Sequence, residues 1–297
     1  MPQAAQIAAE IGLPVPAGVF AVSSAAMERM RHRIQGKNDD SKNFDVYLEG
    51  GVPIGMPKIL QKVAAGDAPR PLVAQSKNPL ISAEICEHII QECEAVAAAR
   101  GGWTTQRHAQ YPTTDIPVTQ LPGTIKWFRE HLLPEAAFPF LAGVFRGWFP
   151  PSAMTQSLED DDIRLSFRVV DAFVAKYNAS SGQRHLLPHR DGSVFSFNVA
   201  LNGAGEYEGG GTFFRQLESL SPSPQQCKDG PPGVVRSPQG HLMAHSSALM
   251  HGGHPIESGC RYLLIAFVTL DDKHKGWASD FYEHVRLNDL DGEDPPV

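Results

Sequence analysis

The feature that most constrains the fold of this chain is a run of short apolar segments between residues 163 and 270. Segments rich in Val, Phe, Leu and Tyr alternate there with Gly, Pro, Ser and Asn, a pattern typical of strands joined by turns. Seven or eight strands in about 105 residues favour a sandwich, a barrel or a jelly roll. The predicted strands are Leu165 to Tyr177, His185 to His189, Val194 to Leu201, Gly211 to Gln216, Val234 to Arg236, His241 to Ala244, Ala248 to His251 and Arg261 to Leu270.

Helices are predicted upstream of this run. The clearer one covers residues 82–100, where Ser82 is a suitable N-cap, Glu84 lies in the first turn and Gly101-Gly102 ends the helix. A second helix is expected from about Gly123 to Leu133. The apolar stripe of the first helix, which predicts core packing, consists of Ile85, Ile89, Cys93 and Val96.

The sequence divides into four parts along its length. Residues 1–80 are interpreted as an N-terminal extension with one or two helices, and residues 81–160 as a helical support region. Residues 161–275 hold the predicted strands and form the main domain, and residues 276–297 are expected to be a C-terminal tail. Helices first and strands later indicate a mainly β fold of the α+β class with flanking helices.

Composition limits the partners. The 297-residue chain is 42% apolar, carries a formal net charge of −7 and has a pI near 5.9. It can therefore bury a substantial core, and nothing in its charge indicates a cationic face for nucleic acid. The longest strongly apolar run, Tyr262 to Val268, is far shorter than the ~20 residues of a membrane-spanning helix. We expect a soluble protein with neither nucleic acid nor membrane as a partner.

Cysteine usage and the N-terminal residues indicate a cytoplasmic protein. The four cysteines do not form a disulfide framework, because Cys86 and Cys93 lie on one predicted helix, roughly 10 Å apart at 1.5 Å per residue. Cys227 and Cys260 complete the set, and reduced thiols are the expectation in the cytosol. The N-terminus has no basic region followed by a continuous apolar stretch, so no secretory signal peptide is predicted.

A candidate metal site begins at His189-Arg190-Asp191. In a strand, residues i and i+2 point to the same face roughly 6.6 Å apart, so an imidazole nitrogen and a carboxylate oxygen can bind one ion. Two histidines and one carboxylate form the facial triad of non-haem Fe(II) oxygenases, which leaves coordination positions open. The His-x-Asp pair alone occurs often by chance. The candidates for the second histidine are His241, His245, His251 and His254.

A cation follows at a suitable distance for binding a cosubstrate. Arg261 opens a predicted strand ten residues after His251 and beyond a Gly-containing turn, so the two can lie side by side on neighbouring strands. A dicarboxylate that chelates iron at one end needs a cation at its other end. The planar guanidinium of arginine suits this role because it binds a carboxylate through two hydrogen bonds.

Four blocks in this region resemble the catalytic domain of the procollagen prolyl 4-hydroxylases and lysyl hydroxylases, within the 2-oxoglutarate/Fe(II)-dependent dioxygenase superfamily. The resemblance covers about residues 165–270, and four blocks in order are far more specific than any one of them. The blocks are His189-Arg190-Asp191-Gly192-Ser193, Asn198-Val199-Ala200-Leu201-Asn202, Tyr207-Glu208-Gly209-Gly210-Gly211-Thr212-Phe213-Phe214 and the segment from His251 to Arg261.

The resemblance implies a double-stranded β-helix (jelly roll) with the metal inside one mouth. Arg261 would clamp the C5 carboxylate of 2-oxoglutarate, Thr212 would give that carboxylate a hydroxyl hydrogen bond, and Tyr177 would contact the cosubstrate near the iron. The implied cofactors are Fe(II), 2-oxoglutarate and O2, with ascorbate as the reductant. The implied iron ligands, with no further catalytic residue, are His189, Asp191 and His251.

The implied reaction is hydroxylation of an aliphatic C–H bond, foremost in a prolyl or lysyl side chain of a protein or peptide, with release of succinate and CO2. The carboxylate of Asp191 agrees with hydroxylation, since related halogenases lack a carboxylate at that position. A free amino acid or another small molecule is the alternative substrate. A catalytically silent jelly-roll binding module is the non-enzymatic alternative, and a zinc hydrolase would leave Arg261 without a role.

Several residues near these motifs also have purely structural interpretations. Gly209-Gly210-Gly211 lacks the Lys-Ser/Thr of a phosphate-binding loop and predicts a tight strand connection. Arg107-His108, with Tyr111 downstream, could line the substrate entrance or form an ordinary turn. A hydrogen-bonded or surface role is favoured over metal binding for His241, His245 and His254.

Overall fold

A computed structural model describes residues 43–49, 70–108, 110–148, 167–180, 182–203, 205–218 and 231–288 of the chain. Within these ranges the chain is a sheet-rich α+β structure, as predicted. Its strands are β1 Phe44–Glu49, β2 Pro71–Ser76, β3 Asp115–Pro117, β4 Phe167–Asn178, β5 Leu186–His189, β6 Phe195–Ala200, β7 Tyr207–Gly209, β8 Thr212–Phe214, β9 Val234–Val235, β10 Leu242–Ser246, β11 His251–Gly253 and β12 Ile256–Leu270.

The larger sheet carries most of the core. Its strands follow the order β1-β2-β10-β6-β12-β4-β3, with β7 beside β12, and neighbouring strands are antiparallel. β12 is central because β4 pairs with it from Cys260 to Leu270 and β6 pairs with its other edge. Successive side chains of β12 point to opposite faces of the sheet. Leu264 therefore packs into the main core, whereas Leu263 joins a smaller cluster with Phe173.

The smaller sheet has four strands in the order β5-β11-β8-β9, and these are also antiparallel. Its strands are only two to four residues long. β11 lies between β5 and β8, and this position places His251 directly opposite His189 on one side and Phe214 on the other.

The helices pack against the larger sheet through the main core. None of the helices in the described ranges combines the length and apolarity needed to span a membrane. The helices are α1 Ala83–Ala99, α2 Pro122–Trp127, a π-helical segment Phe128–Ala137, α3 Phe138–Phe145, the one-turn α4 Arg215–Glu218 and α5 Lys275–Asn288, with 3-10 turns at Val118–Gln120, Arg146–Trp148 and Asp272–His274.

The first predicted helix is confirmed in α1. The Ser82 hydroxyl caps its first turn, and the chain leaves the helix at Gly101 with a φ of 86°. This left-handed backbone favours glycine, so the sequence signal for the helix end has a direct structural cause. Two of the four residues of the predicted stripe are fully buried, namely Ile89 and Cys93.

The second predicted helix is longer than expected. It begins as α2, continues through the π-helical segment and α3, and ends at Phe145 rather than near Leu133. Pro134 lies inside the π-helical segment. A proline has no N–H to donate and usually ends an α-helix, which explains the early predicted end, but the wider π turns accommodate it.

The strand prediction needs three corrections. β1, β2, β3 and β7 were not predicted; β2 is buried along its whole length and therefore lacks the polar–apolar alternation that marks a strand. The predicted strand Gly211 to Gln216 is wrong at its end, because Arg215 begins α4. The predicted strand Ala248 to His251 is a turn up to Met250, and β11 starts at His251.

The described cysteines are free thiols, as predicted. Cys86 and Cys93 are buried and Cys260 is partly buried, while Cys227 lies outside the described residues. Burial raises the pKa of Cys86 to about 11, so this thiol stays protonated at neutral pH.

Helix α5, which begins where the tail was predicted, contributes to the core. In α5 the side chains of Trp277, Phe281 and Val285 are buried. The ring of Phe281 lies 5.2 Å from Trp148 and 5.5 Å from Phe195, measured between ring centroids. Because such aromatic packing contributes strongly to stability, α5 is part of the folded unit.

We expect Phe281→Ala to lower the free energy of unfolding by about 3–5 kcal/mol, since it removes a fully buried aromatic ring. Leu287→Ala is the matched control, because this side chain is on the same helix and 65% exposed. It should change stability by less than about 0.5 kcal/mol. Urea titrations of both variants measure the difference, and equal stabilities would contradict the packing of α5.

Candidate metal centre

Three side chains with metal-binding atoms meet at one end of the smaller sheet. His189 ends β5, Asp191 follows it, and His251 begins β11. The Nε2 atom of His189 lies 3.4 Å from Oδ1 of Asp191, and Nε2 of His251 lies 3.4 Å from Oδ2. Candidate ligand atoms of the three residues all lie within 4.8 Å of one another. This separation allows one ion to contact all three.

Both histidines are held in one tautomer by backbone carbonyls. Nδ1 of His189 lies 2.8 Å from the carbonyl oxygen of Leu187, and Nδ1 of His251 lies 2.9 Å from that of Leu249. A carbonyl oxygen only accepts, so each Nδ1 carries the proton and donates it. Each Nε2 therefore directs its lone pair towards Asp191, as a metal-binding imidazole requires.

The protonation states of the three clustered side chains also favour binding of a metal cation. Burial tends to raise the pKa of Asp191, but the facing imidazoles of His251 and His189 outweigh burial and hold this pKa well below its usual range. Asp191 is thus a carboxylate. Burial lowers the pKa of His251 to about 3, so its ring is neutral. At His189 the contact with Asp191 outweighs burial and raises the pKa, and a bound metal would replace that proton.

The predicted cosubstrate clamp, Arg261, is a buried cation. It lies on β12 directly opposite Tyr177 of β4, and its side chain is almost fully inaccessible to solvent. One guanidinium nitrogen donates to the carbonyl oxygen of Gly211 at 3.0 Å, and the guanidinium carbon lies 5.6 Å from the Tyr177 ring centre. Nε has no hydrogen-bond partner among the described residues, and none of their carboxylates lies within ion-pair distance. A buried cation without a carboxylate is costly unless a ligand completes it.

One cavity of about 380 Å³ connects the three candidate metal ligands with Arg261. Thr212 and Tyr177, the other two predicted cosubstrate residues, also line it. Burial raises the pKa of Tyr177, so its phenol stays protonated and can donate a hydrogen bond. All six predicted site residues therefore face one space, although they come from five strands and one loop position.

The other histidines near the motif occupy different surroundings. His245 is buried and its ring centre lies 4.3 Å from that of His251, but its Nδ1 contacts the carbonyl oxygen of Ser246 at 3.0 Å. His241 contacts the carbonyl oxygen of Ser76 through Nδ1 at 2.8 Å. Among the described residues, the group that could hold a metal contains only His189, Asp191 and His251.

Two polar residues of the cavity were not predicted as site residues. Asn198 lines the cavity, and its side-chain oxygen has no hydrogen-bond partner within the described ranges. Ser196, two residues earlier on β6, donates a hydrogen bond to Oδ2 of Asp191. The period of two along β6 places both on the same face, and that spacing is the sequence signal that could have identified them.

The sequence comparisons agree with the predicted class of protein. No family model matches the chain. Procollagen-lysine,2-oxoglutarate 5-dioxygenase 2 of Homo sapiens is 27% identical over 202 residues, which cover 64% of this chain and 23% of the relative. The similarity confirms the predicted resemblance to the 2-oxoglutarate-dependent dioxygenases.

Within that class, the matching relatives include several procollagen lysine hydroxylases. The human multifunctional procollagen lysine hydroxylase and glycosyltransferase LH3 is 29% identical over 202 residues, covering 64% of this chain and 23% of the relative. Procollagen-lysine,2-oxoglutarate 5-dioxygenase 1 of Mus musculus is 28% identical over 199 residues, with the same coverage. The chain thus spans less than a quarter of the length of these curated relatives.

Solved structures give a weaker likeness. A prolyl-4-hydroxylase from Pseudomonas putida matches 72% of this chain and 98% of its own at 15% identity, with a TM-score of 0.40. A viral collagen prolyl hydroxylase from Paramecium Bursaria Chlorella virus-1 matches 68% of this chain and 97% of its own at 15% identity, with a TM-score of 0.39. These TM-scores are low, so the likeness says nothing about the reaction.

We expect Asp191→Ala to abolish high-affinity binding of Fe(II), measured anaerobically by calorimetry, because it removes the one carboxylate among the three clustered side chains. Asp45→Ala is the control, since Asp45 is a half-exposed carboxylate on β1. It should bind Fe(II) like the unaltered protein. Unchanged Fe(II) affinity in Asp191→Ala would remove this site from consideration as the metal centre.

Proposed function

We propose that the chain is an Fe(II)- and 2-oxoglutarate-dependent dioxygenase that hydroxylates an aliphatic C–H bond and releases succinate and CO2. The observation that carries the proposal is one cavity with a His-Asp-His cluster at one place and, at another, a buried Arg261 that pairs with no carboxylate among the described residues. A chelating dicarboxylate satisfies both features at once. The dioxygenase names of the relatives support the same reaction.

The proposed fold of the catalytic part is a double-stranded β-helix formed within residues 161–275. Two antiparallel sheets support it, with the candidate metal ligands at the smaller sheet and Arg261 on the central strand of the larger sheet. In this arrangement the cavity lies between the sheets. Closing the polar site inside the fold keeps bulk water away from the reaction.

The clustered residues fit ferrous iron. His189 and His251 offer imidazole nitrogens and Asp191 offers a carboxylate oxygen, and three protein ligands leave positions open for cosubstrate and O2. Bound iron and 2-oxoglutarate supply activation of O2, oxidative decarboxylation to succinate and CO2, and insertion of one oxygen atom into the substrate, with ascorbate as the proposed reductant.

Arg261, Thr212 and Tyr177 are proposed to bind the cosubstrate. The guanidinium of Arg261 has the charge for the far carboxylate, and its Nε is available as a donor. The hydroxyl of Thr212 can donate a second hydrogen bond to the same carboxylate. The protonated phenol of Tyr177, opposite Arg261 on β4, supplies a third donor. Arg261 and Thr212 are proposed to orient the dicarboxylate from the end away from the metal, while Tyr177 contacts it nearer the metal.

The proposed substrate is a prolyl or lysyl side chain of a protein or peptide. The support is the naming of the relatives for procollagen lysine. A free amino acid or another small molecule is the second candidate, because a cavity of about 380 Å³ lies within the usual range for small-molecule sites. A screen of lysyl and prolyl peptides, free lysine and free proline with Fe(II), ascorbate and 2-oxoglutarate tests the proposal.

The expected result of that screen is a substrate-dependent release of succinate together with a mass gain of one oxygen atom. Free amino acids that react better than peptides would select the small-molecule alternative. Protein that binds neither Fe(II) nor 2-oxoglutarate would instead indicate a catalytically silent binding module.

We expect Arg261→Ala to weaken 2-oxoglutarate binding by roughly 30-fold to several thousand-fold, since truncating a desolvated charge pair costs about 2–5 kcal/mol. The 2-oxoglutarate affinity of Arg261→Lys should lie between those of the unaltered protein and Arg261→Ala. The lysine ammonium keeps the charge but lacks the planar shape that binds a carboxylate through two hydrogen bonds. Anaerobic calorimetry with Fe(II)-loaded protein measures the affinity. A variant Arg261→Ala with normal affinity would show that the clamp is elsewhere.

The segment around Tyr111 is proposed to form the substrate side of the cavity. Its ring centre lies 4.9 Å from that of His189, and it lines the cavity together with Arg107. Arg107 contacts Asp115 at 2.7 Å and Asp171 at 2.6 Å. These two ion pairs fix the segment to β3 and β4, so Tyr111 is held beside His189 in the cavity wall.

We expect Tyr111→Ala to raise the KM of the substrate found in the screen roughly tenfold, as the loss of an aromatic contact predicts, while 2-oxoglutarate affinity stays within about threefold. Tyr47→Ala is the control, because it removes the same side chain from β1 at the far edge of the larger sheet. Steady-state kinetics with varied substrate give the comparison. An unchanged KM would place the substrate away from this wall.

A further inference from the structure

A chain of three serine hydroxyl groups leads to the carboxylate of Asp191. Oγ of Ser196 bonds to Oδ2 of Asp191, and Oγ of Ser247 lies 2.8 Å from Oγ of Ser196. Oγ of Ser193 lies 2.8 Å from Oγ of Ser247. The four side chains are buried, with at most 7% of any residue exposed. Bulk water therefore cannot easily substitute for these hydrogen bonds.

The geometry gives the direction of the first hydrogen bonds. Ser196 donates its single hydroxyl proton to Oδ2 of Asp191. Ser196 then has only lone pairs left for Ser247, which must donate to it. Ser193 donates its own proton to the carbonyl oxygen of Phe195 at 3.1 Å and lies beside Ser247 at the far end of the chain. The hydroxyl groups of Ser247 and Ser196 thus both point towards Asp191.

The backbone holds this chain rigidly in place. Ser196 lies in β6 between two paired strands, opposite His245 of β10 and Phe267 of β12. Ser247 follows β10, and its carbonyl oxygen accepts the N–H of Asp191 at 3.0 Å. Ser247 therefore holds the backbone of Asp191 directly and its side chain through Ser196.

We propose that Ser196, supported by Ser247, is a positioning residue that holds the carboxylate of Asp191 in the orientation needed to bind the metal. The inference rests on the proposed function, because it assumes that this site binds iron. The hydrogen bond from Ser196 fixes the carboxylate between the two imidazoles before a metal binds. Hydrogen-bond partners of metal ligands raise metal affinity in this way.

The proposal is tested by measuring the metal affinity of variants in which each of the three serines is replaced by alanine. Mn(II), a stand-in for Fe(II) that does not need anaerobic handling, is titrated into the full-length protein by calorimetry. We expect Ser196→Ala to weaken binding about 10–100-fold, the usual effect of removing a partner of a metal ligand. Ser247→Ala should weaken it less. Ser193→Ala is the matched control, because it removes the same hydroxyl from another buried site, where the proton is donated to the carbonyl oxygen of Phe195 and not towards Asp191. Its Mn(II) affinity should stay within about threefold of that of the unaltered protein.

Melting temperatures measured without metal distinguish a positioning role of Ser196 from a role in folding. Positioning predicts that Ser196→Ala and Ser193→Ala melt alike without metal but differ in Mn(II) affinity. Equal Mn(II) affinities would overturn the proposal. If Ser196→Ala does not fold, Ser247→Ala decides, and an affinity equal to that of Ser193→Ala would overturn it. Wild-type protein that binds no Mn(II) or Fe(II) would instead contradict the proposed function itself.

A crystal structure of the Mn(II)-loaded protein tests the contact directly. The expected result is Asp191 bound to the metal with the hydroxyl of Ser196 still donating to its carboxylate. A Ser196 hydroxyl turned away from the metal-bound carboxylate would overturn the proposal.

Discussion

The antiparallel pairing of β5 with β11 is the interaction on which the candidate site depends. It places His189 directly opposite His251, and Asp191 follows two residues beyond. A shift of register by one residue would turn one imidazole to the other face of the sheet, and the three ligand atoms would no longer meet. Such short strands cannot hold a register by hydrogen bonds alone. The register is held in addition by the contact of His251 with Phe214 on the other side of β11.

The larger sheet provides the long, well-paired strands that the smaller sheet lacks. β12 is paired along both edges, and this rigid strand carries Arg261 into the cavity opposite Tyr177. A buried guanidinium and a buried carboxylate such as Asp191 each cost free energy when they lack a full set of partners. Hydrophobic packing of the long strands and of α5 offsets that cost. Stability therefore comes from one part of the fold, while the binding of charged ligands is concentrated in another.

Much of the site was predictable because its chemistry is local in sequence. The spacing of His189 and Asp191 and the ten-position step from His251 to Arg261 are visible in the printed chain. The serine network was not predictable, since Ser196 and Ser247 are separated by 51 residues and serine is common in turns. β2 escaped prediction because both its faces are buried, and its assignment needs the neighbouring strands β1 and β10.

The two sides of the cavity are built by different forces. The metal side is held by paired strands and by hydrogen bonds that are shielded from water. The opposite wall is a segment between α1 and β3, fixed by the ion pairs of Arg107 with Asp115 and with the partly exposed Asp171. The side chain of Gln183 also accepts the N–H of Thr114 and donates to the carbonyl oxygen of Pro112. Partly exposed polar contacts open at lower cost than a packed core. Sequence changes in that wall can therefore alter which molecule reaches the metal ligands without disturbing the ligands themselves.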